Sequence, residues 1–347
     1  MDRARRWAAG AGLLLCGGLG LALVVLVGGS AGPLALVVGL LLASAPAPLY
    51  VALILWIDRF EAEPPALLGL AFFLGATIAA FVAAAINTAI SSLAGDPWGV
   101  LVSGAVVEEL AKGAALVGLL LWRRDECDGP IDGVVYAGMV GLGFATVENV
   151  QYYGLAAATG VVPGGLFVLR GVLAPFAHPL FTAATGAALG LALHSRRAGR
   201  WLLPVVGLGL GCGLHALWNL AALHGALLAM YGGVMVPVFC AGLLAVALEL
   251  RREGRAITEH LRPELAAGLL TAEQLGRLAS VRGRLSERWQ ALRRGRAAWR
   301  RTGALHQAIG ELAWLRRRMR DGPVDEAMRA REAAFVAELV RLRSSST

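Results

Sequence analysis

The chain has 347 residues, 57% of them hydrophobic and only 16% charged, with a mean hydropathy of +0.64. Those figures exclude a soluble globular domain, in which about a quarter of residues are charged, and identify an integral membrane protein. The net charge of +8 is unevenly spread: residues 1–250 carry 11 Lys+Arg against 13 Asp+Glu, and residues 251–347 carry 21 Arg against 11 acids.

Arg3, Arg5 and Arg6 precede an apolar run at 7–27. It is longer than a signal-peptide core and lacks a good cleavage site, so it reads as a retained first span. A second run covers 34–57, and Pro46 and Pro48 should kink it. The acidic, proline-rich turn Asp58 to Pro65 follows, then a third span at 67–90 and a turn at Asp96-Pro97. Span four, 98–122, holds Glu108, Glu109 and Lys112, the only lysine in the chain. After a charged loop at 123–132, span five runs to about 157, and span six, 165–194, contains Pro175 and Pro179. Spans seven and eight are 201–223 and 227–248.

This predicts an all-α, polytopic bundle of about eight transmembrane helices. Taken alternately, one set of loops holds Arg3, Arg5, Arg6, Arg59, Arg123, Arg124, Arg196, Arg197, Arg200, Arg251 and Arg252. The other set (29–33, 91–97, 158–164, 224–226) holds no Lys or Arg. The asymmetry places both termini in the cytoplasm of a multi-pass cell-membrane protein. Residues 1–250 form the transmembrane domain and 251–347 a basic, helical cytoplasmic tail.

In the tail, Thr271 and Gln274 make a capping box, Asp321-Gly322-Pro323 precedes a last helix at 324–343, and Trp289, Trp299 and Trp314 are apolar anchors. The tail packs on itself, lies along an anionic leaflet or docks a cytoplasmic partner; no nucleic-acid motif accompanies its charge. Cys16, Cys127, Cys212 and Cys240 form no CxxC pair and predict neither a disulfide nor a structural zinc.

Three ionisable groups in one span cost roughly 2.5–3.5 kcal/mol each on insertion scales. On a helix Lys112 reaches Glu108 at i,i+4 and Glu109 at i,i+3. Further polar stripes follow at helical spacing: Gly141, Phe144, Glu148 and Tyr152 with adjacent Asn149; Arg170, Ala174, His178, Thr182 and Gly186; Gly207, Gly211, His215 and Asn219. At 1.5 Å per residue, Glu108, Glu109, Glu148 and His215 lie roughly 12–13 Å below the outer ends of their helices, and His178 about 20 Å down a bent one.

Taken singly these residues have plain readings. A histidine is a helix contact, Asn87 is helix glue, Arg170 snorkels or neutralises a carboxylate, and His194 and His224 are incidental at the two interfaces. Their joint occurrence at one level makes a site the default reading.

Two schemes of amide hydrolysis use this set. In one, a paired carboxylate acts as general base on water and then as acid to the leaving amine, while His or Asn side chains hold the oxyanion. In the other, Glu148, His178 and His215 bind Zn2+ with an open fourth position, leaving Glu108 as base. The chain has no HExxH to require the metal, so the cofactor is either none or zinc.

The order Glu108-Glu109-x-x-Lys112, Phe144-x-x-x-Glu148-Asn149, His178-x-x-Phe181-Thr182 and His215-x-x-x-Asn219 resembles the PrsW intramembrane proteases. That family is related to the CAAX prenyl endopeptidases and bacteriocin-processing membrane proteases, and the acidic-proline turn at 58–65 fits it too. The resemblance covers about residues 35–250 and implies cleavage of a membrane-anchored substrate such as an anti-sigma factor. It implies Glu108 as activator of water and His215 with Asn219 as oxyanion hole, with Glu109, Glu148 and His178 catalytic and Lys112, Asn149 and Thr182 supporting. Glu148 stands where the CAAX enzymes carry His, so His178 takes the polarising role. The competing class is an ion- or proton-coupled transporter or channel using the midplane charges, which predicts inverted repeats with paired broken helices. Spans two and six are proline-broken, but the two halves do not match.

Overall fold

The computed structural model describes residues 18, 20, 32–58, 60, 62–94, 99–195 and 197–344. The expected first span at 7–27 lies outside the described residues except for Gly18 and Gly20, as do Arg3, Arg5, Arg6, Arg59, Arg196 and the Asp96-Pro97 turn. Helices and turns make up the described chain, and it contains no strand.

Six described helices are long and apolar enough to cross a membrane. In chain order the helices are α1 (Pro33–Ile57), α2 (Pro65–Ala94), α3 (residues 99–122), α4 (Pro130–Ala158), α5 (Gly164–His194), α6 (Leu202–Leu223) and α7 (Leu227–His260). Helix α3, with its three ionisable groups, is not among the six. The six correspond to the expected spans two, three, five, six, seven and eight, and α3 to span four.

Helix α1 breaks where expected, into Pro33–Ser44 and Ala47–Ile57, because Pro46 offers no amide hydrogen and its ring crowds the preceding turn. Leu34, Leu41, Leu49 and Leu55 on α1 are exposed, as are Val205 and Leu210 on α6. Such apolar outer faces suit lipid. The prolines of α5 act similarly: Pro175 falls between a π-helical stretch, Val168–Leu173, and the resumed helix Ala177–His194. This places His178 in the first turn of the resumed helix. Another π stretch, Gly99–Val107, ends at the residue before Glu108. A π turn shifts the register of the side chains that follow it and recurs at functional positions.

Helix α4 is the most enclosed of the six. It reaches that position through glycine: a Cβ on Gly133 would lie 2.0 Å from the Gly186 carbonyl oxygen, and one on Gly141 2.8 Å from that of His178. Backbones this close need small residues, the usual device for packing helices in lipid.

The chain divides into two compact units, Met1–Ile57 with Glu63–Gly242, and Asp58–Ala62 with Leu243–Thr347. The second contains α8 (Arg262–Ala266), α9 (Ala272–Leu278), α10 (Val281–Arg293), α11 (Arg296–Asp321) and α12 (Glu326–Ser344). The Thr271–Gln274 capping box forms reciprocally, at 3.2 and 3.0 Å, and starts α9. Leu261, Leu270, Leu275, Ile309 and Leu312 are buried in this unit. Arg316 holds Glu264 through two hydrogen bonds of 2.6 and 2.7 Å. Arg284 donates to the carbonyls of Leu278 and Phe60 at 2.7 and 2.9 Å.

Candidate functional site

Adjacent residues on a helix point about 100° apart, so Glu108 and Glu109 face different neighbours. Glu109 points into the bundle and is 1% exposed. Lys112 Nζ donates to Glu109 Oε1 at 2.5 Å, and Thr182 Oγ1 donates to Oε2 at 3.1 Å. His215 Nδ1 lies 3.0 Å from Glu109 Oε1. A carboxylate there accepts the Nδ1 proton, leaving a free lone pair on His215 Nε2. A Cβ on Gly211 would meet the Phe181 carbonyl oxygen at 2.6 Å, so glycine lets α6 bring His215 against α5.

Glu108 faces the other way. Asn87 Nδ2 on α2 donates to its Oε1 at 3.3 Å. The Ser103 hydroxyl, fully buried, donates to Asn87 Oδ1 and so fixes which end of the amide faces Glu108. Glu108 Oε2 is buried without a hydrogen-bond partner among the described residues, 3.9 Å from His215 Nε2. A buried carboxylate oxygen with nothing to accept is costly unless a ligand meets it.

Glu148 on α4 closes the third side. Its Oε2 accepts from Arg170 Nη2 at 2.5 Å and lies 2.8 Å from His178 Nε2. Arg170 Nε donates to Asn149 Oδ1 at 2.7 Å, with its guanidinium 3.9 Å above the Tyr152 ring. Of the two expected roles for Arg170, snorkelling and neutralising a carboxylate, the structure has the second. His178 Nδ1 sits 3.0 Å from Lys112 Nζ. An ammonium can only donate, so Nδ1 accepts and Nε2 carries the proton toward Glu148. The His178 and His215 rings stand perpendicular, centroids 5.0 Å apart, and Phe181 stacks on His215.

A cavity of about 310 Å³ opens beside these groups, lined by Ala83, Asn87, Glu108, Phe144, Glu148 and Gln151 among others. A larger one of about 530 Å³ between α2 and α3, with Leu74, Val82, Ala115 and Trp122 in its wall, has no ionisable lining residue. Of the candidate ionisable groups, Glu108 and Glu148 line the smaller cavity.

The structure thus joins Glu108, Glu109, Lys112, Glu148, Asn149, His178, Thr182 and His215, which the sequence singled out. Asn219 lies beside them: a Cβ on Gly104 would be 3.0 Å from Asn219 Nδ2 and 3.8 Å from Glu108 Oε1. Ser103 was missed and Asn87 was read as glue. Their signal was polarity within apolar spans, without the tertiary pairing that gives it meaning.

Ligand atoms of Glu108, His178 and His215 all lie within 4.8 Å of one another. Glu148, expected in that set, is instead engaged by Arg170. Two imidazoles and a carboxylate form a zinc-type donor set, and the orphaned Glu108 Oε2 with the free His215 Nε2 suit it. His178 joins such a set only by releasing its contact with Glu148 or with Lys112.

Residues 63–244 match the model of a family described as PrsW family intramembrane metalloprotease. The chain is also 32% identical over 149 residues to Protease PrsW of Geobacillus kaustophilus, an alignment covering 42% of this chain. The matched part spans 63% of that relative's length. No solved structure matches.

Proposed function

We propose, from the premise that the chain belongs to the PrsW family of intramembrane metalloproteases, that it hydrolyses a peptide bond of a membrane-anchored protein in the cavity beside Glu108. The observation that carries this is the buried, unpartnered Glu108 Oε2 between two imidazoles. Glu108, His178 and His215 would hold a zinc ion, which when bound polarises a carbonyl and makes water nucleophilic at neutral pH.

Around it the side chains divide the work. Glu109, neutralised by Lys112 and held by Thr182, orients His215. Asn87, itself held by Ser103, fixes Glu108 so that Oε2 is the presented oxygen. Glu148, lining the same cavity, is the carboxylate within reach of a proton leaving water and of the amine that must receive it. Arg170 and Asn149 keep it in place.

A second, metal-free reading is favoured by one observation: both nitrogens of His178 already have partners. There Glu108 is the general base, and Asn219 donates to the oxyanion, joined by His215 as an imidazolium with Nε2 protonated as well as the Nδ1 that Glu109 holds.

We further propose eight spans, residues 1–250 as the protease-like domain, both termini in the cytoplasm and residues 251–347 as a cytoplasmic tail. The candidate substrate is a single-span protein of the anti-sigma type. Purified full-length chain incubated with a single-span reporter tests the reading: wild type should cleave it and Glu108→Ala should not. Equal cleavage by both removes Glu108 from the mechanism.

A further inference from the structure

Helix α10 presents a buried side and an exposed apolar side. At about 100° per residue, Arg284 and Ala291 share one direction, and both are buried. Leu285, Trp289 and Leu292 fall within a sector roughly 60° wide on another side of the helix. They are 46%, 59% and 49% exposed. Arg282 and Arg293 border this sector on one flank and Arg288 on the other. The Arg293 guanidinium lies 5.5 Å from the Trp289 ring, and that of Arg288 lies 3.9 Å from the ring of Trp299, which is also exposed, at the start of α11. Between Glu287 and Glu311 the chain carries six arginines and no acid.

A helix facing only water gains nothing from leucine and tryptophan on its outer side. A ridge of Leu and Trp flanked by Arg, with guanidinium groups laid along the indoles, fits the headgroup layer of a bilayer. There the rings enter the acyl boundary, their polar edges stay wet and the arginines meet phosphates. Charge complementarity selects an anionic surface. A bilayer is favoured over an acidic protein because the helix Val236–His260, part of α7, which is apolar enough to cross a membrane, continues into this unit, so the face is tethered to a candidate membrane span.

We propose that the exposed face of α10, with the start of α11, binds anionic phospholipid. This rests on the second unit and its covalent continuity with α7, and is independent of the catalytic reading.

The test places the full-length chain in nanodiscs of phosphatidylcholine, with or without phosphatidylglycerol, using brominated acyl chains to quench tryptophan. Subtracting the Trp289→Phe signal isolates Trp289. Its emission should blue-shift and be quenched in the anionic discs. It should return to the neutral-disc level when Arg282, Arg293, Arg296 and Arg300 are all changed to Gln. Leu292→Glu, which keeps every arginine, should also lose the quenching. No quenching in either disc, or equal quenching in both, overturns the proposal. A blue shift that persists in detergent assigns the face to a protein contact, a second copy included, and overturns it as well.

Discussion

Glu109 Oε1 lies 3.0 Å from His215 Nδ1, and that contact decides which nitrogen of His215 is free. It also gives each of the two consecutive glutamates of α3 its own neighbour. Glu108 Oε2 is buried without a partner 3.9 Å from His215 Nε2, and Glu109 holds the other nitrogen of that ring. The fully buried Lys112 makes the second charge tolerable. Glu109→Gln should therefore lose most cleavage and also destabilise the protein by about 3–5 kcal/mol, because the Lys112 charge is left uncompensated. Adding Lys112→Met should restore much of the thermal stability in detergent without restoring cleavage. Recovery of both together would make the pair purely structural.

Glu108→Gln should behave differently. Glutamine still accepts from Asn87 and breaks no ion pair with Arg170 or His178, so stability should change by less than about 1 kcal/mol. Cleavage should fall to the level of metal-stripped wild type, because an amide is a far weaker zinc ligand than a carboxylate. Thermal unfolding and a reporter assay on the same preparation check both halves.

Asn87→Ala removes the donor to Glu108 Oε1, and Ser103→Ala frees the Asn87 amide to turn. Each should weaken zinc binding by about 10–100-fold, the usual effect of losing an outer-shell partner, with kcat lowered more than KM raised. Ser103→Thr keeps the hydroxyl and should recover most of the loss. Zinc affinity from competition with a chromophoric chelator, unchanged in all three variants, would contradict the role.

Arg170→Ala leaves Glu148 without its cation. The pair is about one-fifth exposed, so the cost should be about 2–3 kcal/mol, below that of a fully enclosed pair. Activity should fall less than in Glu109→Ala or His215→Ala. Melting temperature and reporter cleavage, measured side by side, decide this.

The fold was legible wherever apolar runs met prolines and polar turns. The break in α1 at Pro46 and the interruption of α5 at Pro175 follow from chain chemistry alone. The clustering was legible as a set: the residues picked by polarity at helical spacing lie close together. Their division of labour was not. Spacing cannot tell that Arg170 from α5 claims Glu148, or that Asn87 from α2 turns toward Glu108, because both depend on how separate helices are rotated. π stretches precede Asn87, Glu108 and His178 along their helices, and such a turn shifts the side-chain register after it with no simple sequence signature. On α10 the pattern was visible as anchoring tryptophans. That Trp289 and its leucine neighbours face outward depends on how α10 packs within its unit.

The most direct test of the central claim is metal content read together with cleavage, in wild type and in Glu108→Ala, His178→Ala and His215→Ala. Purified wild-type chain should hold zinc, lose cleavage when a strong chelator strips it and regain cleavage when zinc is returned, while each variant fails to retain the ion. Stripped wild-type protein cleaving at the untreated rate would contradict the metal site and leave Glu108 acting as a general base.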